Sequence, residues 1–268
     1  MTMSQLTSRD NSLLKTIRLV SSGSRRAPRN LVVAEGIRVL EEVQRAAGAI
    51  EAVIFSEHFG STGRERILLD AWHSEGIRTY KTSEKLLSSV SSVQAPQGAI
   101  ALVHIPERSF DTTELAKDAL IIFACGIQDP GNLGTLIRTA VAVNASLVCT
   151  TKGTVSARNP KAIRSSAGAF FRIPVFEDVD VLDFRRCCNL SSIQVYRTDA
   201  RAGILYTKVN LKSSCAILLG NEGSGMAEEK FADFPAIRIP MAEGVDSLNV
   251  AIAGAVILFE VFKQRRNS

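Results

Sequence analysis

With 268 residues, 46% of them hydrophobic and only 6% aromatic, the chain has aliphatic material for two ordinary domains and reads as α/β rather than all-β. Thirty-two Lys and Arg against 27 Asp and Glu leave a net charge of +5, which permits a polyanionic partner without identifying one. No apolar run reaches the roughly 18 residues of a membrane span, the opening MTMSQLTSRDNSLLK lacks a signal-peptide core, and the cysteines Cys125, Cys149, Cys187, Cys188 and Cys215 show no CxxC or CxxH spacing. The expectation is a soluble, cytoplasmic chain without a metal.

Residues 6–22 carry Leu13, Leu14, Ile17 and Val20 at helical spacing. The loop SGSRRAPRN that follows holds Arg25, Arg26 and Arg29; it suits either a solvated turn or phosphate contact. Next come a strand at 31–36, a helix at 37–48, a strand at 50–56, a helix near 64–74, a short strand near 78–80, a helix from Ser83 and a strand at 99–105. Alternation of this kind predicts a compact α/β sandwich. The polar, proline-led PERSFDTTELAK marks a boundary, which divides the chain into 1–107 and 108–268.

The second part opens with a strand at 119–125 and a helix at 131–144, followed by a strand at 146–150. A strand and helix unit over 159–175 follows, with the basic run Arg158, Lys161 and Arg164 starting one residue before it; a helix near 180–189 and a strand at 192–199 come after it. The stretch 214–260 then combines an apolar strand, the glycine loop GNEGSG (Gly220 to Gly225), another strand, DSLN (Asp246 to Asn249) and a closing helix. Repeated βα units predict a parallel sheet covered on both faces.

Open parallel sheets take their ligands beyond the carboxyl ends of the strands. Three loops qualify, after Cys125, Leu219 and Ile239, and their polar residues are Asn132 and Arg138, Asn221 and Glu222, and Asp246, Ser247 and Asn249. Asn132 also reads as a helix cap. The glycine loop is neither GxGxxG nor a P-loop, no GxSxG elbow accompanies Ser247, and His58, His73 and His104 lack metal-ligand spacing. Dehydrogenase, P-loop and serine-hydrolase chemistry are disfavoured.

NLGTLIRTA (Asn132 to Ala140), LLGNEGSGM (Leu218 to Met226) and IPMAEGVDSLNVAIAGAVILFE (Ile239 to Glu260) resemble, in order and spacing, the three signature motifs of the SpoU or TrmH family of RNA 2′-O-ribose methyltransferases, within the SPOUT superfamily. Upstream, VVAEGIRVLEEV and APQGAIALV are similar to the family's N-terminal substrate-binding domain, related to ribosomal protein L30e. The resemblance implies an L30e-like RNA-binding domain over 1–107 and a SPOUT domain over 108–268. The latter would be a Rossmann-like parallel sheet with a deep C-terminal trefoil knot, an exception to the rule against knots.

By the same resemblance the donor is S-adenosylmethionine, with no metal. Its contacts fall on Gly220, Ile239 and Leu248, with Thr198, Asn221, Gly223, Met241, Ser247 and Asn249 around them. Arg138 takes the motif arginine's place at the reacting hydroxyl, with Asn132, Glu222, Ser247 and Asn249 completing the catalytic set. Arg25, Arg26 and Arg29 would grip structured RNA, with Arg158, Lys161 and Arg164 near the active site. Ribosomal RNA is favoured over tRNA, and a catalytically idle RNA-binding protein on the same scaffold is the rival reading. Family members pair as homodimers through the last helix, here Ser247 to Arg265, whose apolar residues are too widely spread for one buried side.

Overall fold

The structure is a computed structural model and describes residues 4–110, 116, 118–201, 203–220 and 229–267. The chain forms two compact units, Met1–Glu107 with Arg158–Arg172, and Arg108–Ala157 with Ile173–Ser268.

The first unit begins with a short strand, β1 (Ser4–Leu6), where the helical pattern from residue 6 predicts helix. Helix α1 (Ser12–Ser21) starts later because the Asn11 side chain accepts from the Leu13 amide and so caps it. After it come β2 (Leu31–Glu35), α2 (Ile37–Arg45), β3 (Ala49–Ser56), α3 (Gly63–Ser74), β4 (Thr79–Thr82), α4 (Glu84–Ser88) and β5 (Ala99–His104). Thr62 and Glu65 close a reciprocal capping box at the start of α3. The sheet order is β1-β4-β3-β5-β2, with β5 antiparallel to both its neighbours and the other pairs parallel. Leu14, Ile17 and Val20 of α1 pack with Val33, Ile54, Ile100 and Leu102 of the sheet, so the apolar side of α1 is buried as its 3.6-residue period requires.

The second unit contains β6 (Leu120–Ala124), α5 (Pro130–Ala142), β7 (Leu147–Thr150), β8 (Val175–Phe176), α7 (Val181–Leu190), β9 (Gln194–Thr198), β10 (Ile204–Leu205), β11 (Cys215–Leu219), β12 (Ala236–Arg238) and α8 (Val250–Arg266), while α6 (Pro160–Ser165) lies in the segment that joins the first unit. Its sheet runs β10-β12-β9-β11-β6-β7-β8, and every pairing is parallel. The central strands β6 and β11 are buried along their whole length, which accounts for their unbroken apolar sequences.

Alternate side chains serve the two faces. On one face Ile121, Phe123, Ala216 and Leu218 join a core with Phe110, Phe176 and Phe184, in which the Phe123 and Phe184 rings stand 4.3 Å apart. On the other, Leu219 meets α8, where a Cβ on Gly254 would lie 2.9 Å from the Leu219 side chain and 2.4 Å from that of Leu136 in α5. Glycine at 254 is what lets α8 lie so close. At the other end of α8, Arg265 donates to the carbonyls of Asp118 (2.7 Å), Ser213 (2.9 Å) and Ala119 (3.2 Å). Arg265 thereby ties the helix to the segments that lead into β6 and β11. The expected knot involves residues 221–228, which lie outside the described residues.

The strand and helix unit expected over 159–175 is helix α6, a 3₁₀ turn at Ala169–Arg172 and then β8. Its part from Arg158 to Arg172 packs with the first unit, although the sequence reading keeps everything after residue 107 together. Arg158 Nη1 donates to the Arg29 carbonyl (2.5 Å), Arg164 Nη1 donates to Ser92 Oγ (2.7 Å), and Arg172 pairs with Glu42 at 3.8 Å. Gly168, at φ +85°, passes so near α2 that a Cβ there would sit 3.2 Å from the Val39 Cα and 2.6 Å from the Glu42 Cβ. Both the backbone angle and the close approach require glycine.

Candidate active site

The loop that leaves β6 is held by its neighbour after β7. The Gly126 amide donates to Thr151 Oγ1 (3.1 Å) and Thr154 Oγ1 (3.0 Å), while Gln128 Nε2 donates to the carbonyls of Gly126 (3.1 Å) and Gly153 (2.6 Å). The loop delivers Asp129, whose side chain accepts from the Asn132 amide at 3.0 Å and caps α5, with Pro130 at the first helical position. Asn132 is therefore not the cap suggested by its sequence position. Its side chain is left to work elsewhere.

Asn249 caps α8, its Oδ1 accepting from the amides of Ala251 (2.9 Å) and Ile252 (3.3 Å). Its Nδ2 donates to Asn132 Oδ1 at 3.0 Å. The two helix starts are thus linked at the carboxyl end of the sheet. Beside them Thr198 Oγ1, at the end of β9, donates to the Leu218 carbonyl of β11 at 3.0 Å. Gly220, Ile239 and Met241 are partly buried, Ser247 and Asn249 are exposed, and Leu248 is 37% exposed.

Arg138 lies six residues after Asn132 on α5, about 9 Å along the helix axis. It is exposed and has no hydrogen-bond or ion-pair partner among the described residues. Asn221, Glu222 and Gly223 fall outside the described residues. Of the catalytic set, Asn132 and Asn249 are brought into direct contact.

Arg25, Arg26 and Arg29 are exposed in the loop before β2, and Arg158 and Lys161 are exposed as well. Arg158, Lys161 and Arg164, expected beside the active site, belong to the first unit. Arg164 is half-buried and committed to Ser92 and to the Pro160 carbonyl at 3.4 Å. Sequence reasoning missed Asp129, Gln128 and Arg265. Only Asp129 had a local signal, since an aspartate before a proline that opens a helix is a start signature.

Burial pushes the Cys188 thiol up to about 12 and also raises those of Cys149 and Cys215. These groups stay protonated near neutrality and supply no nucleophile. Among the described residues there is no cluster of three or more His, Cys, Asp or Glu side chains able to hold a metal, and no helix is long and apolar enough to cross a membrane.

Residues 119–259 match the SpoU rRNA Methylase family and residues 11–101 the MRM3-like substrate binding domain. The chain belongs to the SpoU rRNA methylase family. The 23S rRNA guanosine 2′-O-methyltransferase RlmP of Bacillus subtilis (strain 168) is 31% identical over 261 residues, covering 97% of this chain and 99% of its own. An AdoMet-bound rRNA methyltransferase from Sinorhizobium meliloti superposes with a TM-score of 0.85 at 25% identity, covering 97% of this chain and 98% of that one. A solved RNA 2′-O ribose methyltransferase gives 0.82 at 30% identity, over 98% and 99% of the two chains.

Proposed function

We propose that the chain methylates a ribose 2′-hydroxyl of ribosomal RNA, with S-adenosylmethionine as the methyl donor. The observation that carries this reading is the Asn249 to Asn132 hydrogen bond of 3.0 Å, which joins the starts of α8 and α5 at the carboxyl end of the parallel sheet. Ligands of such sheets bind there. RlmP of Bacillus subtilis, a 23S rRNA guanosine 2′-O-methyltransferase, supports the substrate class.

The residues fit the donor. Partly buried Ile239 and Met241 and the exposed face of Leu248 offer apolar surface to an adenine, and Gly220, the residue after β11, brings no side chain to the site. Thr198, Gly220, Asn221, Gly223, Ile239, Met241, Ser247, Leu248 and Asn249 would hold it. When bound, the donor supplies an electrophilic methyl group on sulfonium.

A ribose hydroxyl is a weak nucleophile until its developing negative charge is stabilised. Arg138 supplies the positive charge that stabilises it: a guanidinium is a fixed donor fork suited to a phosphate or alkoxide oxygen. Asn132 and Asn249 keep the two helix starts in register, and Glu222 and Ser247 complete the constellation. The first unit engages structured RNA through Arg25, Arg26 and Arg29 together with Arg158 and Lys161. Shape, phosphates and 2′-hydroxyls are what proteins read in such RNA.

The chain acts as a cytoplasmic homodimer in this reading. Ile252 (53% exposed) and Phe259 (51% exposed) stand one heptad apart on the solvent side of α8, and a second copy would cover them. A trefoil knot formed by the 214–260 stretch belongs to the same reading; β12 lies beyond β9 from β11, and α8 then returns to β11. Calorimetric titration with S-adenosylmethionine and S-adenosylhomocysteine tests the assignment. Saturable one-site binding of both is expected, and absence of binding would leave an idle RNA-binding scaffold instead.

A further inference from the structure

The chain leaves β9 and reaches β10 on the far side of β12, because the sheet order places β12 between those strands. Close contacts fix the departure. Thr198 Oγ1 donates to the Leu218 carbonyl at 3.0 Å, and the Asp199 amide donates to the Ile237 carbonyl at 2.9 Å. Those carbonyls stand two residues before Gly220 and Ile239, so the end of β9 ties both strands that lead into the donor-side loops. Gly203, at φ +107°, passes so near β12 that a Cβ there would lie 2.3 Å from the Ala236 carbonyl oxygen. Both the backbone angle and the approach call for glycine.

The Asp199 carboxylate is used on both oxygens. Oδ2 accepts from Arg197 Nη1 at 2.7 Å, with both side chains partly buried. Oδ1 accepts from the Arg201 amide at 2.9 Å, the turn that an aspartate makes with the backbone two residues on. Removing the carboxylate would leave a partly buried guanidinium uncompensated, and Arg197 Nε is already buried without a partner among the described residues. The same turn aims Arg201, whose Nη2 stands 3.7 Å from Asp246 Oδ1. Asp246 directly precedes Ser247, Leu248 and Asn249. One carboxylate therefore connects the end of β9 to the stretch that enters α8.

We infer that Asp199 is a positioning residue for the methyl donor. It acts through Arg201 and Asp246 rather than on the reacting atoms: it sets the turn from which Arg201 holds Asp246, and so keeps Ser247 and Leu248 in place beside the donor. This rests on the donor site proposed above and adds to it Asp199 and Arg201, both on the connection after β9.

The test measures S-adenosylmethionine binding by calorimetry on the full chain, together with steady-state transfer to a 23S ribosomal RNA transcript and a thermal melt of each variant. Asp199→Ala is expected to raise donor Kd and KM about tenfold, the lower end for a lost hydrogen bond to a charged group, while kcat at saturating donor stays within about twofold of wild type. Asp199→Asn keeps an acceptor for the Arg201 amide and should recover part of that loss. Arg201 and Asp246 are exposed, so their substitution leaves folding intact and carries the test even if Asp199→Ala unfolds. Arg201→Gln and Asp246→Asn should each weaken donor binding about threefold, within the range of an exposed ion pair, with no further loss when combined. The exchanged pair, Arg201→Asp with Asp246→Arg, should regain most of the affinity. Additive losses at Arg201 and Asp246, or a loss that falls on RNA affinity instead of donor affinity, overturn the inference. A wild type that binds no donor removes the donor site and this inference with it, whereas wild-type binding that all the variants retain removes this inference alone.

Discussion

Asn249 reaches across 117 residues of sequence to donate to Asn132 at 3.0 Å, while its own Oδ1 caps the helix it begins. One side chain thus does two separable jobs. Asn249→Ser keeps a good cap and is too short to reach Asn132. It should leave stability within about 0.5 kcal/mol of wild type and reduce methyl transfer roughly tenfold, the equivalent of about 1.4 kcal/mol. Asn249→Ala should lose the same activity and a further 1 kcal/mol or so of stability. Urea unfolding beside a transfer assay separates the two, and equal activity in Asn249→Ser and wild type would count against the link.

That link depends on how closely α8 lies on α5. At Gly254 an added Cβ would meet Leu136 at 2.4 Å and Leu219 at 2.9 Å. Gly254→Val should cost about 1–3 kcal/mol by overpacking and should also lower activity, since displaced α8 carries Asn249 away from Asn132. Thermal melts and transfer rates of the same preparation check both consequences. A variant with normal stability would mean that Leu136 and Leu219 repack freely.

Much of this was legible in residues and spacing. The unbroken apolar runs at 120–124 and 215–219 identify the central strands of a parallel sheet, and the sheet's carboxyl end then selects the loops that carry Asn132, Gly220 and Asn249. Periodicity could not show which body a short helix packs against. Helix α6 has the composition of any βα unit, yet it joins the first unit through Arg158, Arg164 and Gly168, partners more than 70 residues away in the case of Ser92. Asn132 resembles the cap that Asp129 actually supplies because both are good capping residues three positions apart. Arg265 escaped notice because its acceptors are backbone carbonyls far away in sequence, which no local pattern encodes.

The buried thiols predict a pH dependence of stability. Cys188 titrates at about 12 in the folded chain against an ordinary value of 9.0, because burial penalises its thiolate. A raised folded value means the unfolded chain loses its proton first. The contribution is fully present below about pH 9 and is lost as pH climbs towards 12, with a limiting slope of about 1.4 kcal/mol per pH unit for one thiol. Urea melts from pH 8 to 11 should therefore show a shallower decline in Cys188→Ala than in wild type. Identical slopes would show that Cys188 titrates normally in the fold.

Arg138 carries an exposed charge with no partner among the described residues. Arg138→Lys retains the charge and loses the planar fork, so most activity should go, by roughly two orders of magnitude if the loss resembles removal of an oxyanion donor. Donor affinity should stay close to that of the wild type. Single-turnover kinetics with saturating RNA and donor are the appropriate readout, and full turnover in the lysine variant would remove Arg138 from the reacting centre.

The most direct measurement is product analysis after incubation of the purified chain with 23S ribosomal RNA and methyl-labelled S-adenosylmethionine. Label is expected in one 2′-O-methylated nucleoside, recovered in an alkali-resistant dinucleotide because the modified ribose blocks hydrolysis at that position. Transfer should be largely lost with Arg138→Lys. Label on a base, or none on the RNA in the presence of demonstrable donor binding, would contradict a ribose methyltransferase.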